Sequence, residues 1–411
     1  MYHIQGGSNG YGHWTVAWQL WEGSHMMTKA EFLVVASHDG RLQALDARDG
    51  QVRWCQNRGH LFAGLALARV GNDLVAASLD GYVCMLALAN GTMRWERPLP
   101  IADPIPMPMD GFRVAANRNL VAVQLGSRMF ALDIADGHTI WEARPSPATY
   151  LWRLLAAGEE HVYTLQIELL AAGPHVQDSL VQRQLEAPHA APPPSFITTA
   201  LSAWDGTPQW FAHQESAVEP PWDAGSSLVE EDGVVYVYGR QGLHALEAAS
   251  GSLLWTCDTL PHHHVGALAL GRDYVAVAAG GHFGTYRRDT GAPLWSKTAA
   301  KRAGGYFEWF TTPLVLGDAV YVARSMSGPP GFRLESYSGE TGALGWVWPS
   351  GSTALQPNVA WRYRGAGVSL YVPSIDELWG IDAADGSERW HLTYDFRSGF
   401  NALLAVATAS S

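Results

Sequence analysis

A glycine followed four residues later by a tryptophan recurs eight times along this chain: Gly50/Trp54, Gly91/Trp95, Gly137/Trp141, Gly206/Trp210, Gly251/Trp255, Gly291/Trp295, Gly342/Trp346 and Gly386/Trp390. Each pair follows an apolar stretch and a turn signal, clearest in Leu42-Gln43-Ala44-Leu45-Asp46-Ala47-Arg48-Asp49-Gly50. Successive tryptophans stand 41, 46, 69, 45, 40, 51 and 44 residues apart. Self-similarity at such a period means a repeated supersecondary unit, and about 40–50 residues is the length of a four-stranded propeller blade. The pattern predicts an all-β chain: an eight-bladed β-propeller of four-stranded antiparallel blades.

Blade two is the most legible. His60 to Ala68 reads as its innermost strand, Leu74–Ser78 as the second, Tyr82–Leu88 as the third and Thr92–Arg97 as the outermost. Asp80-Gly81 and Asn90-Gly91 read as two-residue hairpin turns, in which glycine supplies the positive φ. The tryptophan falls on the outermost strand, and its expected role is to dock between adjacent blades. The C-terminal stretch from Arg397 to Ala407 resembles Arg58 to Ala68, which opens blade two, and ends where a second strand should follow. Phe32–Ser37, Arg41–Asp46 and Gln51–Cys55 in turn read as strands two to four of a blade lacking its first. The C-terminal strand is therefore expected to join the N-terminal blade and close the ring, which removes open sheet edges. Residues 1–30 are read as an N-terminal arm, 31–411 as one propeller, and 171–196 as an insertion in blade four.

Composition excludes several classes. A charged fraction of 16% and a hydrophobic fraction of 47% over 411 residues leave ample material for a core. The formal charge of −12, with no basic stripe, argues against a nucleic-acid surface. No apolar run is long enough to span a membrane as a helix. The start, Met1-Tyr2-His3-Ile4-Gln5-Gly6-Gly7, shows no secretory signal, so a cytoplasmic location is expected, or a periplasmic one if a leader has been removed. Three scattered cysteines, Cys55, Cys84 and Cys257, make neither a disulfide framework nor a structural zinc site.

The repeats resemble the PQQ-like β-propeller repeats of quinoprotein alcohol dehydrogenases and of BamB-type outer-membrane assembly lipoproteins. Leu42 to Trp54 carries the resemblance, with Phe130-Ala131-Leu132-Asp133-Ile134-Ala135-Asp136-Gly137 before Trp141 and Leu378 to Asp385-Gly386 before Trp390. The resemblance implies the fold, while its best-known chemistry does not carry over. The quinone of those dehydrogenases typically sits over a disulfide of adjacent cysteines, and no two cysteines are adjacent here. No calcium-binding Glu/Asn/Asp set maps onto the chain. No cofactor and no metal are expected. The lipoprotein members normally carry a signal sequence and a lipidated cysteine, and neither is visible.

Blade topology places the candidate site among the loops that surround the axial funnel. Tyr150, Trp152 and Arg153 fall between blades three and four, Trp222 and Asp223 between four and five, and His262, His263 and His264 between five and six. Lys301, Arg302, Tyr306, Glu308 and Trp309 fall between six and seven, Trp361, Arg362 and Tyr363 between seven and eight, and Tyr394, Asp395 and Arg397 before the closing strand. Aromatics interleaved with arginine suit a binding patch. Two connections on the same face read as long loops, Ala171 to Phe196 and Ser325 to Phe332.

Several chemical signals read as structural. Asp46 and Asp49 look like cation ligands but read as turn carboxylates bonded to backbone N–H groups. Neighbouring histidines on an extended segment point apart, so His262–His264 does not make a one-ion site. Gly6-Gly7-Ser8-Asn9-Gly10 has the letters of a nucleophile elbow without its strand and helix. The functional expectation is a non-catalytic binding module that holds a protein, peptide or small molecule by its funnel face, with oligomeric state open. The alternative is an enzyme in the funnel, with His262–His264, Glu308, Asp223 or Asp395 as acid/base groups and Arg302 or Arg362 as anion anchors. A quinone-dependent dehydrogenase ranks last.

Overall fold

The computed structural model describes residues 29–37, 40–59, 62–78, 80–100, 112–125, 128–144, 150–168, 196–214, 227–239, 242–257, 260, 266–299, 308–326, 331–349, 364–366, 368–373, 377–393 and 400–408. Every regular element among them is a β-strand, and the strands form eight antiparallel sheets, the blades of a propeller. Blade two shows the plan. Phe62–Val70 is innermost, followed outward by Asp73–Ser78, Tyr82–Ala87 and Met93–Pro98.

Burial follows the layer each strand occupies. Middle strands are covered on both faces by neighbouring blades, so they are mostly apolar rather than alternating. Leu120–Leu125 and Tyr274–Ala279 are buried at every position. Outermost strands keep only one face covered; in Val52–Asn57 the single buried residue is Trp54.

The ring closes at blade one. Its sheet runs from Val52–Asn57 through Arg41–Asp46 and Lys29–Ser37 to the C-terminal strand Phe400–Thr408. Val34 pairs with Leu404 and Ala36 with Ala402, so the innermost strand of the first blade comes from the far end of the chain. The expected arm, residues 1–30, lies outside the described residues except for its last two, where the first strand already begins at Lys29.

Two local expectations are corrected. The Gly-Trp turns are not two-residue hairpins. Gly91 N–H donates to Ala87 O at 2.8 Å and Ala87 N–H to Thr92 O at 2.8 Å, enclosing a four-residue loop that ends on glycine at φ 70°. A four-residue loop leaves the residues before the glycine in ordinary turn conformations and requires the left-handed region only at its end. In blade seven, both ends of the expected loop Ser325 to Phe332 are strand, and 327–330 lie outside the described residues. Pairing between Ala319–Met326 and Gly331–Ser338 continues through Ser325↔Phe332 to Met326↔Gly331, because the two arms form one continuous ladder. The innermost strand of that blade is split instead, into Glu308–Phe310 and Leu314–Leu316, with Pro313 in the gap. Proline has no N–H to give the ladder. In blade four the strands His161–Glu168 and Phe196–Ser202 pair, and 171–195 of the expected insertion lies outside the described residues.

Candidate functional site

The two faces of the ring carry different chemistry. One face holds the turns between first and second strands and the Gly-Trp turns between third and fourth. In each of the eight Gly-Trp turns the indole of one blade meets the turn of the next. Trp54 Nε1 donates to Leu88 O at 2.7 Å, Trp210 Nε1 to Ala248 O at 2.9 Å, and Trp390 Nε1 to Ala47 O at 3.0 Å across the closure. The corresponding bonds of Trp95, Trp141, Trp255, Trp295 and Trp346 span 2.8–3.0 Å. The glycine is required sterically as well as conformationally: a Cβ on Gly91 would lie 2.8 Å from the Trp54 ring, and one on Gly251 2.5 Å from Trp210.

Carboxylates brace these turns as the sequence suggested. Asp46 Oδ1 accepts from Arg48 N–H at 2.8 Å, and Asp49 Oδ1 from Gln51 N–H at 3.0 Å. Asp205, Asp382 and Asp385 accept in the same way from Thr207, Ala384 and Ser387. Arg48 and Arg53 also bind Asp46, and their hydrogen bonds hold its carboxyl well below the usual carboxylate range. Asp133, Asp136 and His138 bring three ligand atoms within 4.8 Å of one another in blade three. Asp133 accepts from Ala135 N–H at 2.7 Å and Asp136 from His138 N–H at 2.9 Å, so both repeat the bracing seen in other turns.

Sequence reasoning missed an acidic ridge on this face, readable as Glu159-Glu160 in blade four and Glu230-Glu231-Asp232 in blade five. Arg288 of blade six ties it across a seam, with Nη1 3.1 Å from Glu231 and Nη2 3.3 Å from Asp232. Burial pushes the Glu230 carboxyl above its ordinary value, and the charges of Asp232, Glu231 and Glu159 add to the shift.

The other face holds the blade-to-blade loops and was the predicted site. Tyr150, Trp152 and Arg153 lie on the innermost strand of blade four, Tyr150–Ala157, where Trp152 pairs with Gln166 and Leu154 with Leu165, leaving Arg153 as a bulge. Bulges re-aim a strand at the rims of closed sheets. Glu308 and Trp309 lie on the innermost strand of blade seven, with Trp309 half-buried. Trp222, Asp223, His262, His263, His264, Lys301, Arg302, Tyr306, Trp361, Arg362, Tyr363, Tyr394, Asp395 and Arg397 lie outside the described residues.

The residues do not fit the quinone arrangement that the resemblance implies. Cys55 is exposed on the outermost strand of blade one, while Cys84 and Cys257 are buried in blades two and five. Burial pushes the Cys84 thiol up to about 12. Among the described residues no helix is long and apolar enough to cross a membrane.

Eight four-stranded sheets closed by a C-terminal strand, with an indole in every seam, define the class: an eight-bladed propeller of PQQ-like repeats. The profile of the family described as outer membrane protein assembly factor BamB matches residues 6–105, 195–267 and 260–410, and the chain belongs to that family. No curated protein sequence matches significantly. Among solved structures, BamB from Moraxella catarrhalis is 16% identical, with a TM-score of 0.50, and the match covers 87% of this chain and 90% of that one. Quinohemoprotein alcohol dehydrogenase from Comamonas testosteroni is 12% identical at a TM-score of 0.58, over 90% of this chain and 70% of its own. Dihydro-heme d1 dehydrogenase NirN, solved in complex with DHE, is 15% identical at 0.59, over 91% and 75%. At such identities the structural likeness concerns the fold alone.

Proposed function

We propose that the protein is a non-catalytic scaffold that engages a protein partner through its loop face, in the assembly of outer-membrane proteins. The observation that carries this reading is the division of labour between the faces. On the turn face, the glycine, the bracing side chain and the indole acceptor are spent on joining blades. The blade-to-blade connections of the sequence carry Trp361, Arg362, Arg302 and Tyr394, which we read as the aromatic and cationic anchors of the loop face. The family description supports protein assembly as the task and the cell envelope as its place. A rigid disc suits that task, since a partner loses affinity when its docking surface must first be ordered.

Deletion of the gene, followed by complementation with a Trp361→Ala/Arg362→Ala/Trp309→Ala variant, tests the reading. Loss of outer-membrane protein content on deletion is expected, together with failure of a variant that melts at the wild-type temperature to restore it. Unchanged outer-membrane protein content on deletion, or full rescue by the triple variant, would overturn it.

A further inference from the structure

The turn face carries an aromatic that the seams do not use. Trp204 stands two residues before Gly206, and the same place in the other turns holds alanine in four blades and Arg48, Asp289 or Glu340 in the remaining three. Its ring is 68% exposed, the most of any large hydrophobic side chain among the described residues. The docking indole of its blade is Trp210, which meets the next turn at Ala248 O. A single exposed apolar residue is ordinary on a protein surface. The surroundings of this one are not.

Backbone bonds set the acidic ridge beside it. The N–H of Ala203, the residue before Trp204, donates to Glu160 O at 2.9 Å, so the Trp204 turn lies on the Glu159-Glu160 turn of the same blade. Glu230 of blade five closes on that turn from the other side of the seam: a Cβ on Gly158 would lie 3.1 Å from its Oε2. Glu231 and Asp232 continue the strip. Two guanidiniums reach it, Arg118 at 2.7 Å from Glu159 and Arg288 at the Glu231-Asp232 end. Glu160 is exposed and Glu230 accepts from Gly233 N–H at 3.2 Å, and neither has a cationic partner among the described residues. Burial lowers the pKa of His161, next to Glu160, so it adds no charge at neutral pH. Leu253 and Leu254, both exposed, follow the blade-five glycine against which Trp210 packs, and extend the apolar surface along the rim.

Charge and shape select the occupant. The strip repels anions, nucleic acid and acidic lipid surfaces included. A metal ion would use the carboxylates and have no use for the indole. A cationic polypeptide uses both, because tryptophan anchors protein interfaces and offers its ring face to lysine or arginine, while opposite charges around the anchor set orientation and encounter rate. We propose that the turn face of blades four and five is a second docking surface, which takes a lysine- or arginine-rich segment of a protein partner, with Trp204 as the apolar anchor and Glu160 and Glu230 as the counter-charges. It lies on the face opposite the loop site and stands whether or not that site binds a partner.

The probe is a fluorescein-labelled peptide of lysines around a central leucine pair, read by fluorescence anisotropy with the whole chain. One control peptide has serine for leucine and the other glutamate for lysine. The lysine–leucine peptide is expected to bind more tightly than the serine control, and the glutamate control not to bind. Trp204→Ala is expected to weaken the lysine–leucine peptide about tenfold and to abolish the preference for leucine over serine. Glu160→Gln/Glu230→Gln is expected to weaken it by a similar factor and to reduce its salt dependence. Both variants change side chains outside the core and should melt no lower than the wild type. The Trp361→Ala/Arg362→Ala/Trp309→Ala variant is expected to bind the peptide as the wild type does. Equal affinity for the leucine and serine peptides, wild-type affinity in either turn-face variant, or loss of binding in the loop variant would each overturn the surface.

Discussion

Gly251 and Trp210 meet as one side chain and the absence of another. The indole lies where a Cβ on Gly251 would be, and the glycine sits at φ 70°. Gly251→Ala therefore combines backbone strain with displacement of the ring, and is expected to destabilise by about 1–3 kcal/mol. Trp210→Ala removes a buried ring and its bond to Ala248 O, and is expected to destabilise by ~3–5 kcal/mol. If both act at the same contact, Gly251→Ala should be less harmful in the Trp210→Ala background; additive denaturation midpoints would show that the ring and the glycine act independently. Asp46 belongs to this scale too. Its folded pKa is depressed by its arginine bonds, so its stabilisation is present above the unfolded carboxylate pKa and lost as pH falls through the folded value. Asp46→Asn should lower the melting temperature at neutral pH and flatten the acid limb of the stability profile.

At the scale of elements, strands and turns differ in how they tolerate charge. The turn Glu231-Asp232-Gly233 of blade five lies against Arg288, while Glu230 is half-buried among acidic neighbours. A carboxyl whose folded pKa is raised costs the native state its ionisation, so stability declines as pH rises from the unfolded value through the folded one. Glu230→Gln is therefore expected to stabilise the protein near neutrality and to have little effect in acid, as thermal melts at two pH values would show. Equal melting shifts at both would assign the effect to packing. The tripeptide Thr311-Thr312-Pro313 marks another element-scale rule. One proline interrupts the innermost strand of blade seven, yet Thr311 N–H still reaches Ala323 O at 2.8 Å, so the sheet bends around the gap without losing its order.

For the whole molecule, closure is the decisive property. The innermost strand of blade one, Phe400–Thr408, lies at the opposite end of the chain from its partner Lys29–Ser37, and Trp390 of blade eight reaches Ala47 O of blade one. Removing residues 398–411 would open a sheet edge and expose Val34 and Ala36, both fully buried. Aggregation or loss of cooperative melting is expected; a soluble truncation with unchanged melting temperature would show that the ring does not depend on this strand.

Much of this was readable before any coordinates. A glycine, its bracing carboxylate and a tryptophan four residues on are local features, written within a single turn and strand, and repetition made them conspicuous. Closure was readable because the last segment copies the opening of blade two while the first blade lacks that strand. The four-residue span of the turns was not readable, because Asn-Gly suits hairpins of more than one length, and only the Ala87–Thr92 bond distinguishes them. Most of the predicted loop site lay beyond the repeat that made everything else legible. The chain alone determined the number of blades and the join, since both depend on periodicity. Tertiary structure alone decided which carbonyl each indole meets and which carboxylates of neighbouring blades come together, because these depend on how sheets some forty residues apart in sequence register against each other, and no local pattern records that.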